Sequence, residues 1–197
     1  MKTTVIINPY AGNGRTEKLW PDIEAALKQS IGPFQTEQTK SQGDAVLLTR
    51  KALEDGTTRI VAVGGDGHLN EVLNGFIEND VQLNPQASLS FVMSGTGCDF
   101  QRSLGISGKW QNAVAELKDA KVRKIDVGKV TYTAADKTQK IRYFDNIASF
   151  GLSGAVDHYI DNSRLGNYLG GTMLFLWATI KTVFSHPNQA IRYRIDD

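Results

Sequence analysis

Four consecutive apolar residues, Ile60-Val61-Ala62-Val63, run directly into Gly64-Gly65-Asp66-Gly67 and then into apolar residues at helical spacing, Leu69, Val72, Leu73 and Phe76. A fully apolar run this short suits a strand buried on both faces, and such a strand needs helices above and below a parallel sheet. The alternation recurs along the chain. Val5-Ile6-Ile7 stops at Asn8-Pro9 and a turn through Gly14, after which Leu19, Ile23, Ala26 and Leu27 share one helical face. Pro21 weakens that helix unless it lies within the first two turns. A weaker strand at Phe34 to Thr36 precedes a helix over about residues 43–54. Leu89 to Val92 reads as another strand, and Trp110, Ala113, Val114 and Leu117 as another helix. Strands alternating with helices in this order predict a doubly wound α/β fold.

Beyond Lys121 the rhythm changes to two strand-like stretches, 122–134 and 141–150, joined by a polar segment in the manner of a hairpin. Helical patterns follow at 153–162 and 168–184, with a last strand from Ile191 to Ile195. We place the domain boundary near residue 125, giving an α/β domain over 1–125 and a β-rich unit over 126–197. The second unit reads as incomplete, because three or more strands with a packed face are usually needed for independent stability.

Composition narrows the choice of function. The 197 residues are 41% hydrophobic and 22% charged, enough to bury a sizeable core and too apolar for a disordered chain. The net charge is +1, from 22 Lys and Arg against 21 Asp and Glu, so no whole-molecule field draws the chain onto nucleic acid. The single cysteine, Cys98, has no internal disulfide partner, and three scattered histidines offer no zinc spacing. No signal peptide opens the sequence, and the longest apolar run, Leu169 to Ile180, contains two glycines and closes at Lys181. A membrane span needs about 20 apolar residues, so a cytoplasmic protein is expected.

The chemistry lies in the turns. A glycine-rich turn between a buried strand and a helix brings backbone N–H groups and a helix N-terminus to a phosphate. Asp66 is intelligible there when a cation lies between carboxylate and phosphate, which suggests a Mg²⁺-bound nucleotide. No Gly-Lys-Ser/Thr follows, so this is not a Walker A loop, nor is it a dinucleotide fingerprint. A second turn, Ser94-Gly95-Thr96-Gly97-Cys98-Asp99, follows the strand ending at Met93. The first strand delivers Asn8, Pro9, Tyr10, Ala11 and Gly12 to the same edge of the sheet.

These segments resemble the catalytic domain of the diacylglycerol kinase and sphingosine kinase superfamily, and most nearly the small soluble bacterial lipid kinases. The likeness runs through Asn8 to Gly12, the Thr39 to Ala45 stretch, Gly64-Gly65-Asp66-Gly67-His68-Leu69-Asn70-Glu71-Val72 with Asn74-Gly75, and Gly95 to Phe100. It continues through Asp126-Val127-Gly128, Asn146 to Gly151 and the Tyr168 to Phe184 helix. The resemblance implies ATP- and Mg²⁺-dependent transfer of the γ-phosphoryl group to a lipid hydroxyl, with a diacylglycerol-like acceptor, in a cleft between a nucleotide domain and a β-sandwich domain. On it, Asn8, Pro9, Tyr10, Ala11, Gly12, Thr39, Gly64, Gly65, Asp66, Gly67, His68, Asn70, Glu71 and Thr96 would meet the nucleotide. Asp66 and Asp99 would be catalytic, Asp66 and Asp126 would serve the metal, and Arg102 and Lys181 would face a membrane surface in transient contact.

Three departures from the family pattern stand out. His68 replaces the usual Thr, Cys98 replaces the usual Asn, and family members are longer, so that the segment bearing the general base is expected beyond Asp197. Asp99 also reads as the N-cap of the helix after it. A non-catalytic nucleotide-binding module and a NAD kinase, which also carries Gly-Gly-Asp-Gly, are the competing readings. The residues do not distinguish diacylglycerol from a sphingoid base, a monoacylglycerol or a polyprenol, and they carry no signal of oligomeric state.

Overall fold

The computed structural model describes residues 1–95, 97–106, 108–149, 151–161, 163, 171–187, 190, 192 and 194. The chain divides into two compact units, Met1–Ile147 and Ala148–Asp197.

The first unit is built on a parallel sheet of four strands: β1 (Thr3–Ile7), β2 (Gln35–Gln38), β3 (Arg59–Gly64) and a longer partner, Ser88–Met93. Its helices are α1 (Ala11–Ile31), α2 (Asp44–Glu54), α3 (Asp66–Phe76), α4 (Asp99–Ser103) and α5 (Trp110–Glu116). Two-residue strands β4 (Ile77–Glu78) and β5 (Val81–Gln82) form a small antiparallel pair, which makes the Ser88–Met93 strand β6. A hairpin of β7 (Gly128–Thr133) and β8 (Gln139–Phe144) completes the unit.

Period-two alternation sends successive residues of each central strand to opposite faces. Ile6, Ile60 and Ala62 pack under α2 and α3 with Ala45, Leu53, Leu69, Val72 and Phe76. Val5, Ile7, Val61, Val63 and Val92 pack under α1 and α5 with Ile23, Leu27 and Val114. Both faces are therefore covered, as a doubly wound sheet requires. Each fully buried Val, Ile or Leu contributes about 1.5–3 kcal/mol relative to exposure, so these two layers dominate the unit's stability.

The strand order is β2-β1-β3-β6. The crossover from β1 leads to β2 on one side and the path from β3 leads to β6 on the other. The order reverses between β1 and β3, and the crevice beyond the carboxyl ends of those two strands is where ligands bind in open α/β sheets.

Three expectations are refined. Residues Gly12, Asn13 and Gly14 take positive φ values of 62°, 57° and 79°, so regular helix follows Gly14 and Pro21 falls in its second turn, where the helix continues through it. The hairpin strands are shorter than the stretches 122–134 and 141–150, because residues 121–127 lie outside any ladder. The compact units divide at Ile147, later than the boundary expected near residue 125, and the hairpin joins the first unit through bonds between α3 and β8 described below.

In the second unit, α6 (Leu152–Asp161) and α7 (Gly171–Ser185) are helical, with Val156, Leu174 and Ala178 buried. Elsewhere on α7, Phe175, Trp177 and Phe184 are exposed. The expected strand from Ile191 to Ile195 and the start of the 168–184 helix lie outside the described residues. Among the described residues, no helix is long and apolar enough to cross a membrane.

Candidate functional site

Three loops meet at the β1–β3 crevice. The loop after β1 is pinned at its base by the Asn8 N–H, which donates to the Val63 carbonyl at 2.9 Å, and is turned by Asn8 Oδ1, which accepts the Tyr10 N–H at 3.0 Å. Thr39, at the end of β2, donates both its N–H and its hydroxyl to the Ile7 carbonyl at 3.0 and 3.3 Å. The loop after β6 is tied back by the Ser94 N–H to the Gly64 carbonyl at 2.8 Å, and the Thr16 and Ser94 hydroxyls bond at 2.5 Å. Gly65 and Gly95 touch backbone to backbone. A methyl on Gly95 would lie 2.6 Å from the Gly65 Cα, so only glycine permits this approach.

The carboxylates stand at the same point. Asp66 occupies the first turn of α3 and its Oδ1 accepts the Phe100 N–H at 3.3 Å. A Cβ at Gly97 would sit 2.9 Å from Asp66 Oδ2 and 3.1 Å from Asp99 Oδ2, so both side chains converge on that glycine. Asp99 lies inside the first turn of α4, and Cys98, at φ 54°, takes the capping position, which corrects the reading of Asp99 as the N-cap. The Arg102 guanidinium pairs with Asp99. Cys98 is half-buried and donates to the Gly95 carbonyl, and burial followed by the charge of Asp66 pushes its thiol above the ordinary value. It is a packed thiol, not a thiolate nucleophile.

Beside these loops opens a polar cleft of about 370 Å³, within the usual range for small-ligand sites. Asn8, Tyr10, Thr39, Gly67, His68 and Glu71, all expected from the sequence, line it, together with Ser41, Gln42 and Arg142. The wall over residues 40–43 is held from two sides. Both Glu71 carboxylate oxygens accept the Gly43 N–H at 3.0 Å, while Asp44 accepts the Lys40 and Ser41 N–H groups at 2.8 and 2.9 Å. Those bonds hold the Asp44 carboxyl below its ordinary value. His68 is buried, its Nε2 donates to the Ile6 carbonyl at 2.9 Å, and burial lowers its pKa, leaving a neutral ring braced against β1.

Several expected residues play other parts. Pro9 and Ala11 shape the first loop beside the cleft, and a Cβ on Gly12 would meet the Ser94 carbonyl oxygen at 2.8 Å. Asn70 turns toward β8, donating to the Tyr143 carbonyl at 2.9 Å and accepting from Arg142 Nε at 2.9 Å. Asp126 is exposed in the irregular stretch before β7. Lys181, in the second unit, lies over the Tyr159 ring at 4.5 Å, and Thr96 lies outside the described residues.

Ser41 and Gln42 fall in the Thr39 to Ala45 stretch but are not among the residues expected at the site, and nothing in the sequence points to Arg142 and Asp145. Asp145 is half-buried just past β8, and its carboxyl is pushed up by burial and, more weakly, by the charge of Asp66, against a lowering bond from Asn70. No local motif marks Arg142 or Asp145, since only the return of the hairpin onto α3 brings them to the crevice.

The residues present fit a Mg²⁺-bound nucleotide. The close backbone approach at Gly65 and Gly95 leaves no side chain between the loops and a phosphate, and two carboxylates meet at Gly97. Among the described residues, no three His, Cys, Asp or Glu side chains gather as a metal site, and Asp126 joins no such group. One or two carboxylates supplemented by phosphate oxygens and water are the donor set Mg²⁺ ordinarily takes.

The diacylglycerol kinase of Staphylococcus haemolyticus is 33% identical over 166 residues, covering 84% of this chain and 46% of that protein. The diacylglycerol kinase of Staphylococcus aureus is 29% identical over 169 residues, covering 86% of this chain and 49% of its own length. The crystal structure of a Bacillus anthracis protein described as a putative diacylglycerol kinase superposes with a TM-score of 0.62 at 24% identity, over 82% of this chain and 55% of that one, a likeness of fold. The chain thus spans about half the length of the curated relatives it matches. Residues 2–130, which contain all three loops and both carboxylates, match the model of the diacylglycerol kinase catalytic domain, and the chain belongs to that family.

Proposed function

We propose that this chain carries the nucleotide-binding region of an ATP- and Mg²⁺-dependent lipid kinase, which transfers the γ-phosphoryl group to a lipid hydroxyl of diacylglycerol type. The observation that carries the reading is the meeting of three glycine-bearing loops and two carboxylates, Asp66 and Asp99, at the switch point of the parallel sheet. Phosphoryl transfer depends chiefly on positioning and charge neutralisation. Here the loops after β1, β3 and β6 position the phosphates through backbone N–H groups, and Glu71 and Asp44 fix the wall over residues 40–43. Asp66 and Asp99 would hold Mg²⁺, which when bound neutralises charge on the phosphates.

The acceptor is a lipid presented at a membrane surface, with the protein cytoplasmic and docking transiently. Arg102 and Lys181 are exposed, and basic residues near an anionic surface contribute about 1 kcal/mol each, enough for reversible contact. Asp99 offsets part of the Arg102 charge.

The test is calorimetric titration of Mg·ATP into the protein and its Asp66→Ala variant, followed by radiolabelled ATP with a mixed lipid extract. Asp66→Ala is expected to fold normally and lose at least about tenfold in affinity, or roughly 1.4 kcal/mol. An intact variant with unchanged affinity would count against the proposal. Label entering the lipid fraction supports the kinase reading, whereas tight Mg·ATP binding without transfer favours a nucleotide-binding module.

A further inference from the structure

A nucleoside triphosphate brings several negative charges to a site, and the cleft offers little positive charge to meet them. Its described lining includes the carboxylate of Glu71, the neutral His68 ring and uncharged polar groups, and Arg142 is the only permanent cation among them. That guanidinium is half-buried. Its Nε donates to Asn70 Oδ1 at 2.9 Å, and among the described residues no carboxylate forms an ion pair with it.

The arrangement is costly unless an anion completes it. Taking a cation part-way out of water against a neutral amide leaves its charge uncompensated. Its orientation is fixed in advance, because Asn70 is held by its own bond to the Tyr143 carbonyl at 2.9 Å, and Asn74 donates to the Asn70 carbonyl at 2.7 Å. With Nε committed to Asn70, the two terminal nitrogens remain as a planar fork at the cleft, a geometry that matches phosphate oxygens in pairs.

We propose that Arg142 grips the phosphate chain of the nucleotide, an assignment that rests on the nucleotide reading of this cleft. The hairpin then has a binding function as well as a structural one. It carries a cation from β8 to the wall of the cleft, and α3 sets its direction through Asn70. The glycine loops supply backbone dipoles, and Arg142 supplies the full positive charge they lack.

The experiment measures Mg·ATP affinity of the whole chain by calorimetry across a series of salt concentrations, for wild type, Arg142→Gln, Arg142→Ala and Arg142→Lys, with thermal melts as a folding control. Arg142→Gln keeps a donor toward Asn70 and removes the charge. It is expected to bind about tenfold more weakly at low salt, or roughly 1.4 kcal/mol, and to show a shallower salt dependence, since one screened ionic contact is gone. Arg142→Lys should recover the steeper salt dependence and part of the affinity. A residue that only braces Asn70 would leave the salt dependence unchanged when replaced, and that result overturns the assignment, as does an Arg142→Gln variant with wild-type affinity. A wild-type chain that binds no Mg·ATP overturns the nucleotide reading itself and the Arg142 assignment with it.

Discussion

His68 shows how a buried titratable ring is accommodated by its neighbours. A Cβ on Gly64 would lie 2.7 Å from His68 Cδ2 and 2.9 Å from its Cβ and Cγ, so the imidazole occupies space that only a glycine at the end of β3 leaves open. The ring in return satisfies the Ile6 carbonyl at 2.9 Å. This bond requires a proton on Nε2, and burial disfavours a second proton on Nδ1, although Glu71 and the Ile6 carbonyl oppose that effect. With its pKa below the ordinary value of 6.5, His68 takes up a proton more readily in the unfolded chain than in the folded one. Its contribution to stability is therefore complete above that unfolded value and is lost as pH falls toward the folded value. Urea unfolding between about pH 8 and pH 5 is expected to show stability declining on the acid side. His68→Gln, which keeps a donor and cannot titrate, should flatten the decline; an identical slope in the variant would assign it to other groups.

At the scale of elements, the hairpin is attached to α3 by side chains that imitate a neighbouring strand. Asn74 Nδ2 donates to the Tyr143 carbonyl at 2.9 Å and Asn74 Oδ1 accepts the Tyr143 N–H at 3.0 Å, the pair of bonds a facing strand would make. Tyr143 then reaches the β4–β5 turn, where its hydroxyl donates to Asp80 Oδ1 at 2.7 Å, and Lys129 of β7 donates to Asp80 Oδ2 at 2.7 Å. Asn74→Ala leaves the N–H of this buried residue without a partner, at a cost of about 1–3 kcal/mol before water enters, and leaves its carbonyl to Asn70 alone. The expected outcome is faster hydrogen exchange at the Tyr143 amide and a lower melting temperature, with β1, β3 and β6 unaffected; unchanged exchange at Tyr143 would refute this account of the attachment. Such contacts could not be read from the sequence, because 69 positions separate the partners and an asparagine carries no local sign of what it pairs with. β1, β3 and α3 were legible for the opposite reason: burial on two faces leaves an unbroken apolar run. β2, Gln-Thr-Glu-Gln, is exposed throughout, so the weak strand expected at Phe34 to Thr36 overlaps only its first two residues, and β4 and β5, two residues each around Asn79 and Asp80 at positive φ, leave no apolar pattern to read. The site divides in the same way. Its glycine loops and Asp66 adjoin legible strands, whereas Arg142 and Asp145 arrive through the hairpin.

At the scale of the whole molecule, both apolar layers and every described residue lining the cleft lie within Met1–Ile147. A domain needs its own core to fold alone, and here the two faces of one sheet are each closed by helices from the same unit. The residues buried in the second unit, Val156, Leu174 and Ala178 among them, belong to neither layer. The boundary that matters for folding is thus set by the side-chain bonds of Asn70 and Asn74 to β8, which a cut at residue 125 would sever and a cut after Ile147 would spare. A fragment of residues 1–147 is expected to unfold in one cooperative transition and to bind Mg·ATP within about twofold of the full chain, or roughly 0.4 kcal/mol. A fragment of residues 1–125, which lacks Arg142 and deprives Asn70 and Asn74 of their β8 partners, should melt lower and bind more weakly. Calorimetric unfolding and titration of the two fragments decide the matter: equal behaviour of both would remove the hairpin from the nucleotide-binding unit and return the boundary to residue 125.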